Sequence, residues 1–368
     1  MRGLQLLLVS FAFAGASIDA QEPADPFADL TDSATAEPAP PKRSFFTDNF
    51  GFRKEIMSEF DSSDHGQPAS RQSLGFEMLK KFSSGTSTLA SFNFQGRLVR
   101  RDGFQPVLND MEGETRGGWA FEYHNLYLDL YNLFKNVGHL NFRVGRFYVP
   151  FGLNLQTDTH GTVLQLSNEQ NLGFERDWYT GLWGTINKHL NYDAYYLAGS
   201  GYDLKYKGQK GLGALRLSLS NKYSSEYGLE GGVSVMGGER LSHYTQRPVE
   251  TRRVGVDGRY RHTAGPGVVT FTSELSAGRD VPDSVYSQLI QTEYLHGSRR
   301  WGVATQYRRF ELERMGTDAS IIGEFTWYFR NDVGNSNLHW IKLNVERRLQ
   351  RMPGSPALVV ALQYYFYR

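Results

Sequence analysis

Arg253, Asp257, Arg259 and Arg261 share one parity of a short stretch, and Val254, Val256, Gly258 and Tyr260 fill the other. In an extended chain this spacing turns the charges to one face and the uncharged residues to the opposite face. Such a charged face can steer solutes past it, or its members can hydrogen-bond to one another and stiffen a wall. The same pattern recurs along the chain. It collects the cations Arg53, Arg97, Arg143, Arg216, Arg253, Arg259, Arg261, Arg308 and Lys342. Against them stand Glu55, Glu59, Glu77, Asp193, Glu230, Asp257, Glu274, Glu293, Glu324 and Glu346. Rings of one sign make a pore selective, whereas mixed signs cancel except locally. The local positive excess expected here is the row Arg253, Arg259 and Arg261, partly offset by Asp257.

Other chemistries find less support. Asp158, His160 and Ser167 fall close together and invite a hydrolase triad, but a triad is defined by geometry and no nucleophile motif surrounds Ser167. The chain has 9 His, with no His-x-x-x-His pair, and 0 Cys, so neither a metal site nor a cofactor is expected. Gly211-Leu212-Gly213 sits in a strand-like segment without the strand-to-helix setting of a phosphate cradle. A formal charge of +1 gives no electrostatic case for a nucleic-acid partner. Tyr307-Arg308-Arg309-Phe310 mixes Arg with aromatics, and is read as an interfacial aromatic girdle with snorkelling Arg.

The elements that must position these rows are strands. Leu358, Val360, Leu362, Tyr364 and Phe366 repeat with a period of two, as do Ala90, Phe92, Phe94, Gly96 and Leu98 opposite Ser91, Asn93, Gln95 and Arg97. Mean hydropathy is −0.47 and no apolar window reaches helix-spanning length, which excludes a helical membrane bundle. Aromatic content is nevertheless 14%, with Gly 39, as suits a barrel whose lipid face and lumen face alternate. Candidate strands lie near 52–60, 73–82, 88–100, 119–133, 139–147, 178–186, 190–199 and 211–220. Further ones lie near 227–236, 252–261, 268–278, 285–294, 301–310, 321–329, 338–347 and 357–367. The expected fold is all-β: a transmembrane, antiparallel, up-and-down barrel of about sixteen strands spanning 44–368.

Arg2, the apolar run Leu4 to Ala14 and the small residues Ala14-Gly15-Ala16 read as a signal peptide over 1–20, which implies export. Residues 21–43, with Pro38, Pro40 and Pro41, read as a disordered periplasmic arm. Short connections such as Ser83 to Ser87 alternate with long ones such as Arg101 to Gly118, which places both termini on the periplasmic side. The longest, Tyr148 to Asp177, carries Asp158, His160, Glu169, Glu175, Arg176 and Asp177 around the apolar piece Val163-Leu164-Gln165-Leu166. An apolar piece in a polar loop needs a docking place, so the loop is expected to fold into the lumen as a constriction.

Here the chain resembles a known family. Leu140-Asn141-Phe142-Arg143-Val144-Gly145-Arg146-Phe147 and the following Tyr148-Val149-Pro150-Phe151-Gly152-Leu153 are similar to a signature of the phosphate-selective porin O and P family. Glu175-Arg176-Asp177-Trp178-Tyr179-Thr180-Gly181-Leu182-Trp183-Gly184 and Tyr195 to Gly201 resemble two later ones. The resemblance implies a sixteen-stranded, trimeric porin with an inward third loop. Phosphate selectivity is not carried over, because the charge row is mixed. The expected function is passive diffusion of small polar or anionic solutes across the bacterial outer membrane. Outer-membrane lipid, the barrel assembly machinery and further copies of the chain are its expected partners. A non-conducting barrel with a structural, adhesive or assembly role stands as the alternative, with a barrel hydrolase behind it.

Overall fold

The computed structural model describes residues 49–64, 68–84, 87–103, 118–134, 140–153, 161–201, 211–242, 247–333, 336–351 and 355–368. The expected leader and periplasmic arm lie outside the described residues, as do Asp158 and His160.

Sixteen strands follow one another in chain order. The first half comprises β1 (Phe50–Ser63), β2 (Ala69–Ser84), β3 (Ser87–Asp102), β4 (Trp119–Leu130), β5 (Leu140–Tyr148), β6 (Arg176–Asn187), β7 (Leu190–Leu197) and β8 (Leu212–Leu219). The second half comprises β9 (Leu229–Leu241), β10 (Pro248–Ala264), β11 (Gly267–Asp280), β12 (Asp283–His296), β13 (Trp301–Leu312), β14 (Gly316–Asp332), β15 (Asn337–Gln350) and β16 (Leu358–Tyr367). Each strand pairs antiparallel with its sequence neighbours, and β1 closes on β16 through a register running from Glu55↔Tyr367 to Ser63↔Val359. Closure leaves no strand edge facing lipid, which a wall without water to satisfy its peptide groups requires.

The period-two pattern explains the two faces. On β15, Ile341, Leu343 and Val345 are exposed outward, while Trp340, Lys342, Asn344 and Glu346 are buried inside. On β10, Val254 and Val256 face out and Thr251, Arg253 and Asp257 face in. The outward apolar set extends around the barrel through Phe60, Leu98, Leu215, Phe271, Ile290, Ile321 and Leu362. It is bordered by aromatics such as Phe52, Trp327 and Phe329 towards one end and Trp119, Phe121 and Tyr196 towards the other. This is the band-and-girdle exterior of a barrel that spans a bilayer. Alternation splits Tyr307-Arg308-Arg309-Phe310 rather than leaving it a girdle. Arg309 faces out to Glu311 at 2.6 Å, whereas Phe310 is buried inside with Val285 and Leu312.

One connection holds an element that periodicity does not reveal. Between β8 and β9 runs the helix α2 (Asn221–Tyr227), its N-terminus capped by Ser220 Oγ accepting from the Tyr223 N–H, its C-terminus ended by Gly228 in the left-handed region. The long connection between β5 and β6 contains a second short helix, α1 (Ser167–Leu172), also ended by a left-handed glycine, Gly173.

The wall is thinnest in bonding where β4 meets β5. Their register runs only from Leu126↔Arg146 to Leu130↔Phe142. Gly145 makes the close approach possible: its φ is 136°, and a Cβ there would lie 2.1 Å from the Leu126 carbonyl oxygen. Beyond the last pair, Arg146 Nη1 donates to the Tyr123 and His124 carbonyls at 2.7 Å each. Its guanidinium replaces missing ladder bonds, so buried carbonyls keep partners.

Candidate functional site

The inner wall is a ladder of ion pairs. Arg97, with none of its surface exposed, donates to Glu55 at 2.5 Å across two strands. Arg53 reaches Glu77 at 3.3 Å. Arg143 grips Asp129 with both arms of its guanidinium, at 2.6 and 2.8 Å, and lies over the rings of Tyr127 and Phe147. Arg308 is held by Glu346 and Ser320 Oγ, each at 2.7 Å, and by Asp318 at 3.4 Å. Lys342 pairs with Glu324 at 3.0 Å. Guanidinium–carboxylate forks of this kind are geometrically fixed, so the wall carries oriented charge rather than loose side chains.

The row on β10 resolves differently from the sequence expectation. Asp257 pairs with Arg216 of β8 at 2.6 Å, not with its own row. Arg253 pairs with Asp280 at 2.8 Å, an acid it shares with Arg240 at 2.7 Å. Arg259 and Arg261 share one carboxylate, Glu230 of β9, at 2.9 and 3.6 Å. Two cations therefore face one acid at two places, the buried Arg240 and Arg253 at Asp280 and the more open Arg259 and Arg261 at Glu230. The latter are also among the wetter inner groups: the Arg261 side chain keeps 36% and that of Glu230 34% of its surface exposed.

Arg240, Asp280, Asp129, Glu122 and Asp318 were not among the candidates. For Asp280 and Arg240 the signal is the same parity carried further: Glu274, Ser276 and Gly278 lead to Asp280, and Ser234, Met236 and Gly238 lead to Arg240. The strands run past the expected ends at 278 and 236.

The described parts of the β5–β6 connection lie against the inner face. On the outbound side the Gly152 N–H donates to Ser234 Oγ of β9 at 3.1 Å. Gly161 sits against the rings of Trp340 on β15 and Tyr365 on β16. The chain then returns. Leu164 packs on Ala304 of β13 and Ile322 of β14. The Gln165 carbonyl accepts from Gln306 of β13 at 3.0 Å, and Ser167 Oγ donates to Glu274 of β11. Asn171 Oδ1 accepts from Arg253 of β10 at 3.2 Å, and the Leu172 carbonyl from Arg240 of β9 at 2.8 Å. An internal bond from Asn168 Nδ2 to the Phe151 carbonyl, 2.7 Å, ties the two limbs together. Phe151, Leu172 and Phe174 seat the loop's base in a buried cluster with Tyr179, Tyr195, Leu212 and Met236.

The expected constriction residues are placed unevenly. Glu169 stands in the first turn of α1. Glu175 is buried and pairs with Arg176 at 3.4 Å. Arg176 and Asp177 are not loop residues: they open β6. Arg176 lies over the Tyr148 ring and donates to Asn125 of β4 at 3.1 Å. Asp177 accepts from the backbone N–H groups of Trp178 and Gly201 at 2.9 and 3.0 Å, and from that of Gly199. Both therefore build the wall and anchor the next connection, because strand pairing begins at Tyr148↔Arg176.

No family model matches the chain, and no curated protein matches it. Solved structures do. The high-pH structure of Pseudomonas putida OprB is similar at TM-score 0.58 and 10% identity, covering 87% of this chain and 94% of that one. The anion-selective porin of Comamonas acidovorans is similar at TM-score 0.56 and 10% identity, covering 87% and 98%. The trimer form of in-vitro folded Vibrio cholerae OmpT is similar at TM-score 0.51 and 9% identity, covering 87% and 99%. The chain thus shares with these structures the fold of a closed sixteen-stranded antiparallel barrel.

Proposed function

We propose that the protein is a bacterial outer-membrane porin that lets small polar or anionic solutes diffuse passively. The carrying observation is the water-exposed group Arg259, Glu230 and Arg261 on the inner wall, where two cations share one acid. A barrel interior that keeps charged side chains wet supports a solvated path, and a local excess of one sign biases which ions enter it. The strap held by β9, β10, β11, β13 and β14 narrows that path. The end bearing this strap faces outside and both termini face the periplasm, in keeping with long outer loops in barrels of this kind. Barrel assembly machinery would insert the chain, and the trimer form of a similar fold supports a homotrimer. Phosphate selectivity is left out, since each inner cation expected from the sequence has an acid partner.

The test is reconstitution into planar bilayers. Discrete conductance steps with a reversal potential on the anion side are expected, and a silent bilayer containing folded protein would refute the reading. A non-conducting barrel is the second reading. It draws on the complete burial of Arg97 and the 1% exposure of Arg253, two inner cations closed to water.

A further inference from the structure

The outer wall carries a feature that diffusion through the lumen does not use. Across five strands one row of outward residues runs in continuous register: Tyr196↔Gly213, Gly213↔Gly237, Gly237↔Arg252 and Arg252↔Arg279. At its centre two glycines leave the wall without side chains. A Cβ at Gly213 or Gly237 would meet nothing nearer than a backbone carbonyl at 3.7 or 4.0 Å. The adjoining row, Leu215↔Val235↔Val254↔Ala277, is apolar throughout. Together the rows form a groove of about 1030 Å³ on the outside of β7–β11, with the Tyr196 ring along one side and the two arginines at its end.

We propose that this groove binds an anionic phosphate-bearing lipid from the leaflet at the end carrying the β5–β6 connection, with its phosphate on Arg252 and Arg279 and an acyl chain over Gly213 and Gly237. Like charges directly opposite on neighbouring strands repel, yet Arg252 and Arg279 are directly opposite. Acids flank the pair without covering it: Glu250 binds Arg252 at 2.7 Å and leaves that side chain 75% exposed, and Glu313 acts on Arg279 electrostatically. Arg279 is exposed as well. A phosphate offers the oxygens that two forked guanidiniums can share. The neighbouring Val235 and Val254 already face the apolar band, so a lipid aligned along the wall satisfies both ends of the groove at once. Water-soluble anions would find the cations but not use the apolar floor. The inference rests on the bilayer-spanning fold and not on conductance, so it can fail while the pore reading stands.

The experiment is native mass spectrometry of the intact folded barrel, released from a neutral detergent after titration with phosphatidylglycerol or, separately, phosphatidylcholine. The expected result is preferential retention of phosphatidylglycerol. Replacing both cations (R252Q with R279Q) removes the preference. Filling the groove through Gly237→Leu lowers retention with both cations intact, and a heat-modifiable band on electrophoresis verifies that each variant is folded. Equal retention of the two lipids by the unaltered protein overturns the proposal, as does an unchanged preference in the folded double variant. The same spectra report assembly: if Gly237→Leu turns a multimer into monomers while lipid retention holds, the groove is a contact between copies and the proposal is wrong.

Discussion

At the scale of single residues, the charge rows were legible and their partners were not. Period two places Arg253, Asp257, Arg259 and Arg261 on one face, but pairing depends on neighbouring strands and on register. Register here shifts at irregularities such as Gln95/Gly96 and Tyr328/Arg330, which leave no mark in composition. Even where the register is continuous, as from β8 to β10, the partner sits on another strand: Asp257 belongs to Arg216, and the acid for Arg259 and Arg261 is Glu230. Glu230→Gln removes the one carboxylate those two arginines share. One unit charge at 4 Å in water is worth about 1 kcal/mol, so the anion-to-cation permeability ratio should rise by up to about fivefold. Reversal potentials under a salt gradient measure this, and an unchanged value would place the conducting path elsewhere. Burial sets the opposite kind of expectation for Glu55. Its partner Arg97 is fully buried, and Glu55→Gln removes the carboxylate that holds that cation at 2.5 Å. A loss of about 3–5 kcal/mol follows, seen as a lower midpoint for heat-induced conversion to the unfolded electrophoretic band.

At the scale of elements, strands announced themselves and short helices did not. A wall strand must alternate, so its pattern survives in the sequence, whereas α1 and α2 are too short to show a helical period. What marks α2 is chemistry at its ends, Ser220 and Gly228. The β5–β6 connection was legible through one clue, the apolar piece Val163-Leu164-Gln165-Leu166 in a polar loop, but its anchors Arg240, Arg253 and Glu274 belong to distant strands. Excising 161–172 and joining the ends through a glycine linker removes the strap while sparing every strand. Single-channel conductance should then increase. Conductance that stays the same in a folded variant would show that the strap does not limit the path. The β4–β5 junction gives a sharper structural test. Gly145→Val forces a β-branched residue into a φ of 136° and against the Leu126 carbonyl. The backbone strain alone costs about 1–3 kcal/mol, and the heat-conversion midpoint should fall accordingly. Wild-type behaviour would mean that β4 and β5 can separate without cost.

At the scale of the whole molecule, one contact converts a curved sheet into a barrel: β1 on β16. Its register ends at Glu55↔Tyr367, and the Lys54 N–H donates to the Arg368 carbonyl at 2.6 Å while the Arg368 N–H returns a bond to Lys54 at 2.9 Å. The last residues of β16 also serve both faces. Tyr364 and Phe366 point outward, while Tyr365 stacks on Trp340 at 4.5 Å inside and packs with Met57. Removing residues 365–368 therefore deletes four rungs of the closing seam, an inner aromatic stack and an outer girdle member together. The exposed edge of β1 would then face lipid with unpaired peptide groups, each costing several kcal/mol. A barrel cannot share that cost among its other strands, because closure is all or none. The truncated chain should fail to reach the membrane as a heat-modifiable species and should accumulate in protease-sensitive form. Recovery of a heat-modifiable, protease-resistant barrel from the membrane fraction would show that β1 and β15 close the wall without the end of β16.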